Sequence, residues 1–197
     1  MGGCNKKNNI KKQRNVEAMI AETYRFCNAC GMQRKIKIPD VHKKIAYVVL
    51  HDLRSIHNVG AIFRTADAVG ASKIFTTGYT GTPRDRFGRE RKDFAKTALG
   101  SEKNVSHEHV SSIVELLQRL HADHVLLVGV EQSEQSVDYK KAEIRYPCAF
   151  IFGNEVRGIE ETVLNMCDVA IELPMAGMKE SLNVSVSAGI VLFHFLT

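Results

Sequence analysis

The sequence has no long apolar run. No stretch approaches the roughly 20 apolar residues that cross a bilayer, and the first residues contain no apolar core of a secretory signal peptide. The start, Met1-Gly2-Gly3-Cys4, hints at acylation, but Lys6 stands where a myristoylation site needs serine or threonine. We therefore expect a cytoplasmic protein that neither spans a membrane nor lies on one.

The cysteines do not form a paired framework either. There are five of them, and Cys27-x-x-Cys30 is one pair with metal-ligand spacing that no second pair follows. A zinc site with four ligands would need Cys4 or a distant histidine. We favour the alternative, which is reduced and partly buried thiols in a cytosolic protein. The prediction is that the protein holds no metal.

Two nucleotide-binding fingerprints are missing. A dinucleotide-binding oxidoreductase needs G-x-G-x-x-G after its first strand, and residues 57–62 read HNVGAI instead. The sequence also has no G-x-x-x-x-G-K-[ST], the phosphate-binding loop of many nucleotide hydrolases. Both enzyme classes are therefore disfavoured.

Charge is unevenly distributed along the chain. The net charge is +5, yet residues 1–44 contain eleven Lys/Arg and three Asp/Glu, so residues 45–197 carry about −3. A basic extension before a near-neutral domain is typical of a protein with a polyanion partner, although a solvated basic tail would have the same composition. Within this extension we predict a disordered start over 1–12, a helix over 13–27 and a basic linker over 31–44.

Strand and helix patterns alternate from residue 45 onward. Such alternation predicts an α/β domain with a parallel sheet over residues 45–197. Asn58 is the predicted N-cap of the first helix and Gly70 its C′ residue. The last helix is apolar almost all round, so the sheet or a partner subunit should bury it. The predicted strands are 45–50, 73–77, 124–130, 148–152 and 168–172, and the predicted helices are 58–69, 108–121, 159–166 and one from about 183, with a long polar loop over 78–106.

Three segments that follow predicted strands carry the chemistry. Residues 58–65 read NVGAIFRT and place Arg64 off the apolar stripe, where its planar guanidinium could bind phosphate. Residues 152–159 read FGNEVRGI, with two glycines that allow close backbone approach to a ligand. Residues 173–186 read LPMAGMKESLNVSV, with Ser181 or Asn183 at a helix start. Taken singly, each has a plain structural explanation: a surface salt bridge, a tight turn or a cap.

Together the three segments resemble the signature of the SpoU (TrmH-like) branch of the SPOUT RNA methyltransferases. The resemblance runs from Ile45 to Thr197 and includes residues 96–103, KTALGSEK, which are typical of the family's middle loop. It implies an α/β domain with a C-terminal deep trefoil knot, an exception to ordinary topology. It also implies a homodimer with the active site at the subunit interface, and S-adenosyl-L-methionine as cofactor.

The resemblance assigns roles residue by residue. The catalytic residues it implies are Arg64, Asn58, Glu155, Ser181 and Asn183. The cofactor-binding residues it implies are Val130, Gly153, Leu173, Met175, Ser181 and Leu182. Arg64 corresponds to an arginine sometimes proposed as the base, but a guanidinium stays protonated in proteins, so an electrostatic role is physically easier.

The function implied is methyl transfer to a ribose 2′-hydroxyl of tRNA or rRNA. The alternative is a catalytically inactive SPOUT-like protein that only binds RNA. Loss of Arg64, Glu155 or Asn183 would favour that alternative, and all three are present.

Overall fold

The computed structural model describes residues 44–197 together with the strand residues 24–26 and 33–35. The chain divides into two units, Met1–Lys43 and Lys44–Thr197. In the first unit, β1 (Tyr24–Phe26) pairs antiparallel with β2 (Gln33–Lys35). The helix predicted over 13–27 is therefore wrong at its end, where β1 lies. The remainder of that prediction and the disordered start over 1–12 fall outside the described residues.

The second unit alternates strands with helices, as the sequence predicts. Its strands are β3 (Ala46–His51), β4 (Lys73–Thr77), β5 (His107–Val110), β6 (Leu126–Val130), β7 (Val137–Asp138), β8 (Cys148–Phe152) and β9 (Val169–Glu172). Its helices are α1 (Ile56–Val69), α2 (Lys92–Ala98), α3 (Ile113–Ala122), α4 (Glu161–Leu164) and α5 (Val184–Leu196).

These strands form one seven-stranded parallel sheet in the order β5-β4-β3-β8-β6-β9-β7. The predicted parallel α/β architecture is confirmed. Every residue of β8 is buried, because β8 pairs with β3 on one side and β6 on the other and both faces are covered. The carboxyl ends of these central strands therefore lie at one edge of the sheet.

Several predicted boundaries are wrong. The polar loop predicted over 78–106 contains α2 and a 3-10 turn at Ser101–Lys103. The helix predicted over 108–121 begins only at Ile113, because His107–Val110 pairs with β4 as an edge strand. The predicted helix over 159–166 is reduced to one turn, α4.

Helix α1 begins one turn before the predicted cap. Ser55 is its N-cap, and its hydroxyl accepts a hydrogen bond from the backbone N–H of Asn58. Asn58 therefore lies in the first turn of the helix, which leaves its side chain available for other contacts. Gly70 ends the helix with a left-handed φ of 71°, as predicted.

Helix α5 packs one face on the core and leaves the other open. Ala188, Val191, Leu192 and Phe195 are buried in the cluster that also holds β3 and β8 side chains. Val186 and Phe193, seven residues apart on the opposite face, are 49% and 48% exposed. The sheet therefore covers only part of this apolar helix.

Among the described residues, no helix is long and apolar enough to cross a membrane. Cys148 and Cys167 are free thiols, and burial raises the pKa of each to about 12. Cys4, Cys27 and Cys30 lie outside the described residues.

Candidate active site

One pocket opens where the central strands end. It is formed by residues that follow β6, β8 and β9 and by the start of α5, in agreement with the rule that ligands bind beyond the carboxyl ends of parallel strands. All six residues predicted to bind the cofactor line this pocket: Val130, Gly153, Leu173, Met175, Ser181 and Leu182. Residues up to 52 positions apart in sequence are thus brought to one cavity. That they bind a cofactor stays a prediction.

The loop after β8 is closed on itself by backbone contacts. The N–H of Asn154 donates to the carbonyl of Gly158 at 3.0 Å, and the N–H of Gly158 donates back to Asn154 at 2.9 Å. A Cβ on Gly153 would overlap the backbone of Gly158, and Gly158 has a left-handed φ of 68°. Both glycines are therefore needed for the pocket wall to take this shape.

The side chain of Asn154 holds this loop to its neighbours. It is buried, and its amide donates at 2.8 Å both to the carbonyl of Asp52 and to the hydroxyl oxygen of Tyr79. Its Oδ1 accepts from the N–H groups of Val156 and Arg157 at 2.9 and 3.0 Å. Asn154 thus uses its amide donors and acceptor to fix the strand-to-helix turn.

Glu131 joins the first loop of the pocket to the second. It follows β6 directly, and its Oε2 accepts from the N–H of Ile159 at 2.7 Å while its Oε1 accepts from the N–H of Gln132 at 3.0 Å. A carboxylate at this place leaves room only for glycine at 158, because a Cβ there would overlap the Glu131 side chain.

Glu155 connects the same loop to the start of α1. Its Oε2 accepts from the N–H of Arg54 at 2.9 Å, and its Oε1 accepts from the N–H of Ser55 at 2.9 Å and from the side-chain amide of Asn58 at 3.0 Å. Burial alone would raise the pKa of this carboxyl. The donated hydrogen bonds outweigh burial and hold its pKa below the usual value, so Glu155 is an anion at neutral pH.

Asn183 extends this chain of contacts to the third predicted segment. Its side-chain amide donates to Asn58 Oδ1 at 3.2 Å, and its own Oδ1 accepts from the N–H of Ser185 at 2.9 Å as the N-cap of α5. Of the two predicted caps, Asn183 is therefore the one used. Glu155, Asn58 and Asn183 form one hydrogen-bonded row beside the pocket.

The structure does not bring Arg64 into this row. Arg64 is exposed on α1, and within residues 44–197 it has no ion pair and does not line the pocket. Ser181 does line the pocket, and its backbone belongs to the loop that leads into α5. The five residues predicted to be catalytic thus divide into a connected row, a pocket residue and one exposed cation.

Sequence reasoning missed Asn154 and Glu131 as site residues. Asn154 stands beside Glu155 in the second segment, and Glu131 is the first residue after a predicted strand. A polar residue at the carboxyl end of a buried strand was the available signal. It could not show which backbone groups each side chain would bind, because those groups come from loops distant in sequence.

Within the part of the chain that the structure describes, no group of three or more His, Cys, Asp or Glu residues could hold a metal ion. The possible role of Cys27 and Cys30 as metal ligands lies outside those residues.

Comparison with known proteins gives a family match. The model of the SpoU rRNA Methylase family matches residues 45–193. This range begins at the first strand of the sheet and ends in α5, so it includes every element that forms the pocket.

Two curated relatives illustrate the match. The 23S rRNA (guanosine-2′-O-)-methyltransferase RlmB of Ralstonia nicotianae is 34% identical over 148 residues, which cover 75% of this chain and 56% of the relative. The tRNA (guanosine(18)-2′-O)-methyltransferase of Aquifex aeolicus is 29% identical over 163 residues, which cover 83% of this chain and 74% of the relative. The chain thus spans just over half the length of the first relative.

Solved structures share the fold. The AdoMet-bound rRNA methyltransferase of Sinorhizobium meliloti superposes with a TM-score of 0.69 at 28% identity, over 84% of this chain and 64% of the other. The TrmH/SpoU tRNA modifying enzyme of Aquifex aeolicus superposes with a TM-score of 0.67 at 30% identity, over 76% of this chain and 73% of the other.

Proposed function

Because the chain belongs to the SpoU rRNA methylase family, we propose that it transfers a methyl group from S-adenosyl-L-methionine to a ribose 2′-hydroxyl of tRNA or rRNA. The observation that carries this proposal is the convergence of all six expected cofactor residues on one pocket, with the row Glu155–Asn58–Asn183 beside it. The bound cofactor would supply an electrophilic methyl group on a sulfonium. The protein must then position the hydroxyl and stabilise charge on its oxygen.

The pocket has features that suit a nucleoside-containing cofactor. Gly153 lets the loop after β8 close on itself to form one wall, since a Cβ there would overlap the backbone of Gly158. Val130, Leu173 and Leu182 provide apolar surface. Polar and charged residues line the rest of the pocket, and a cleft that combines apolar surface with placed polar groups suits a small-molecule ligand.

Arg64 is the group we propose for binding the RNA next to the target ribose. It is exposed, and a planar guanidinium can bind a phosphate through two hydrogen bonds. Such a contact would hold the ribose in place and stabilise the developing alkoxide electrostatically. The row of Glu155, Asn58 and Asn183 would act as positioning residues, since it fixes the first turn of the helix that carries Arg64.

We further propose that the active form is a homodimer and that its C-terminal part forms a deep trefoil knot. The open apolar face of α5, with Val186 and Phe193, supports a contact with a second copy. The proposed knot rests on the resemblance to the SPOUT methyltransferases, and the position of β8 between β3 and β6 is compatible with it.

The basic extension is proposed to assist in binding the RNA. Its eight excess positive charges in residues 1–44 would attract a polyanion. We also propose a cytoplasmic location, where tRNA and rRNA would be available as substrates.

The test combines cofactor binding with methyl transfer. Saturating S-adenosyl-L-methionine should raise the melting temperature, since a ligand at 100 times its dissociation constant stabilises the native state by about 2.7 kcal/mol. Nucleoside mass spectrometry of bulk tRNA and rRNA incubated with the protein and cofactor should then show a new 2′-O-methylated nucleoside. Cofactor or RNA binding without transfer would support the inactive alternative, and no response in either assay would overturn the proposal.

A further inference from the structure

A second basic surface lies outside both the pocket and the predicted site. It is formed by residues 84–92, RDRFGRERK, which follow β4 and end at Lys92, the first residue of α2, and we call it the arginine loop. Its nine residues contain five Lys/Arg and two Asp/Glu, whereas the other residues of 45–197 contain eleven Lys/Arg and seventeen Asp/Glu. The loop is therefore a concentrated positive patch on an otherwise acidic domain.

The tip of the arginine loop has a fixed backbone. Asp85 Oδ1 accepts from the N–H groups of Phe87 at 2.8 Å and Arg89 at 3.0 Å, while the N–H of Gly88 donates to the Asp85 carbonyl at 2.9 Å. Arg89 also donates from Nε to Asp85 Oδ2 at 2.8 Å. Gly88 takes a left-handed φ of 78°, which the tight turn requires.

This fixed turn presents an aromatic ring to solvent. Phe87 is 67% exposed, although the guanidinium carbons of Arg86 and Arg89 lie 4.8 and 5.0 Å from its ring centroid. An exposed aromatic ring flanked by guanidinium groups is the combination with which proteins stack nucleobases and neutralise phosphates of single strands.

The cations of the loop differ in their pairing. Arg89 is paired with Asp85 at 2.7 Å and Arg91 with Asp93 at 2.9 Å. For Arg84, Arg86 and Lys92, no carboxylate of residues 44–197 lies within ion-pair distance. The two ion pairs stabilise the shape of the loop, and Arg84, Arg86 and Lys92 remain available to an anionic partner.

The segment that leads from β4 into the arginine loop passes beside the pocket. It follows β4, whose carboxyl end lies next to that of β3. Tyr79 contacts Asn154 in the pocket wall through its hydroxyl at 2.8 Å. Gly81 packs so closely on Ile56, the first residue of α1, that a Cβ would overlap its side chain. An RNA strand bound at the pocket could therefore continue onto the arginine loop.

We propose that the arginine loop binds an unpaired stretch of the RNA substrate, with a base stacked on Phe87 and the neighbouring phosphates on Arg84, Arg86 and Lys92. This rests on the proposed function and specifies its substrate, which would have single-stranded nucleotides close to the methylated ribose. The ring gives selectivity for unpaired bases, because the faces of paired bases are covered within a duplex.

The experiment measures binding of the full-length protein to labelled oligouridine and to a labelled RNA duplex over a salt series. We expect Phe87→Leu to weaken oligouridine binding by about fivefold or more, the effect of losing one stacked base, and to leave duplex binding unchanged. Phe87→Trp, which keeps an aromatic ring, should bind oligouridine as tightly as the wild type does. Arg86→Gln should lower the slope of log affinity against log salt by about 0.7.

The matched control is Arg145→Gln. Arg145 is exposed and precedes β8, so it lies at the opposite edge of the sheet. It should leave both the affinity and the salt slope unchanged, and thermal melts should show that all variants are folded. If Phe87→Leu binds oligouridine like the wild type, or if Arg145→Gln loses as much as Arg86→Gln, the proposal is overturned.

Three further outcomes separate this proposal from others. Binding of poly-glutamate that depends on Arg86 but not on Phe87 would identify an acidic protein partner and overturn it. If the wild type methylates RNA while the loop variants bind oligouridine normally, only the arginine-loop proposal fails. If the wild type transfers no methyl group while Phe87→Leu weakens oligouridine binding, the arginine-loop contact stands and the proposed function fails.

Discussion

Asn58 donates its side-chain amide to Glu155 Oε1 at 3.0 Å, which joins two residues 97 positions apart in sequence. The same oxygen accepts from the N–H of Ser55, the N-cap of α1. The loop that lines the pocket and the helix that carries Arg64 are therefore fixed to each other at one carboxylate. Changes at this carboxylate should affect both.

We expect Glu155→Gln to lower the free energy of unfolding by about 1.5–3 kcal/mol, the range for a hydrogen bond to a charged group. Glutamine keeps one acceptor oxygen, but its side-chain NH₂ replaces the other oxygen. That NH₂ would face another donor, the N–H of Arg54 or the amide of Asn58, so at least one hydrogen bond is lost. Urea denaturation at neutral pH measures the loss. Glu134→Gln, an exposed position in the loop after β6, is the control and should have no effect.

The difference in the free energy of unfolding between the wild type and Glu155→Gln should depend on pH. The pKa of Glu155 is lowered in the folded protein, so its contribution is fully present above the ordinary glutamate pKa and is lost as pH falls through the lower folded value. The difference between wild type and Glu155→Gln should therefore shrink below about pH 4. A difference that stays constant down to acid unfolding would contradict the carboxylate role.

Gly153→Ala should distort the pocket wall. Its Cβ would meet the backbone of Gly158, which cannot rotate away, and overpacking of this kind costs about 1–3 kcal/mol. Titration with S-adenosyl-L-methionine should show weaker binding together with a lower melting temperature. Gly177→Ala is the matched control in the neighbouring loop, where a Cβ meets nothing within 4 Å; equal effects of the two changes would contradict the steric argument.

Arg64→Lys separates charge from geometry, because lysine keeps the positive charge and loses the planar pair of donors. We expect single-turnover methylation to fall by two to four decades, about 2.7–5.5 kcal/mol of transition-state stabilisation. Cofactor affinity should stay unchanged, since Arg64 does not line the pocket. Arg145→Lys is the control, and a wild-type rate for Arg64→Lys would show that charge alone suffices.

Phe193→Asp tests the proposed homodimer. Phe193 is 48% exposed on the open face of α5, so the change should leave the monomer folded and remove apolar area from the contact. Light scattering at micromolar concentration should give twice the monomer mass for the wild type and the monomer mass for the variant. Val114→Asp, at an exposed position on α3, should remain dimeric. A wild-type mass of 22.0 kDa would contradict the dimer.

The sequence predicted best where burial is strongest. The strand predicted at 148–152 matches β8, CAFIF, because a strand covered on both faces has a continuous apolar sequence. The one at 73–77 matches β4, KIFTT, which is rich in aromatic and β-branched residues. The short edge strand β5, with the sequence HEHV, has no such pattern. Its pairing with β4 determines its conformation, and pairing partners cannot be read from a local window.

In the candidate site, too, local features could be predicted from the sequence and long-range contacts could not. Most of the pocket residues lie on two segments that resemble a known family, residues 152–159 and 173–186, and that resemblance can be read locally. The support for those segments depends on single side chains such as Glu131 and Asn154, which bind backbone groups of other loops. The sequence could place these residues after strands, but which groups they reach is decided by how the strands are ordered in the sheet.

The position of β8 between β3 and β6 has a consequence during synthesis of the chain. β3 emerges from the ribosome about 100 residues before its neighbour β8. In that interval β4 is the only one of the two sheet neighbours of β3 that has been synthesised. The edge of β3 that later pairs with β8, which includes Val48 and Val49, is therefore unprotected. An unpaired apolar edge is a template for aggregation, so nascent chains released before residue 152 should need chaperone protection that the finished chain does not.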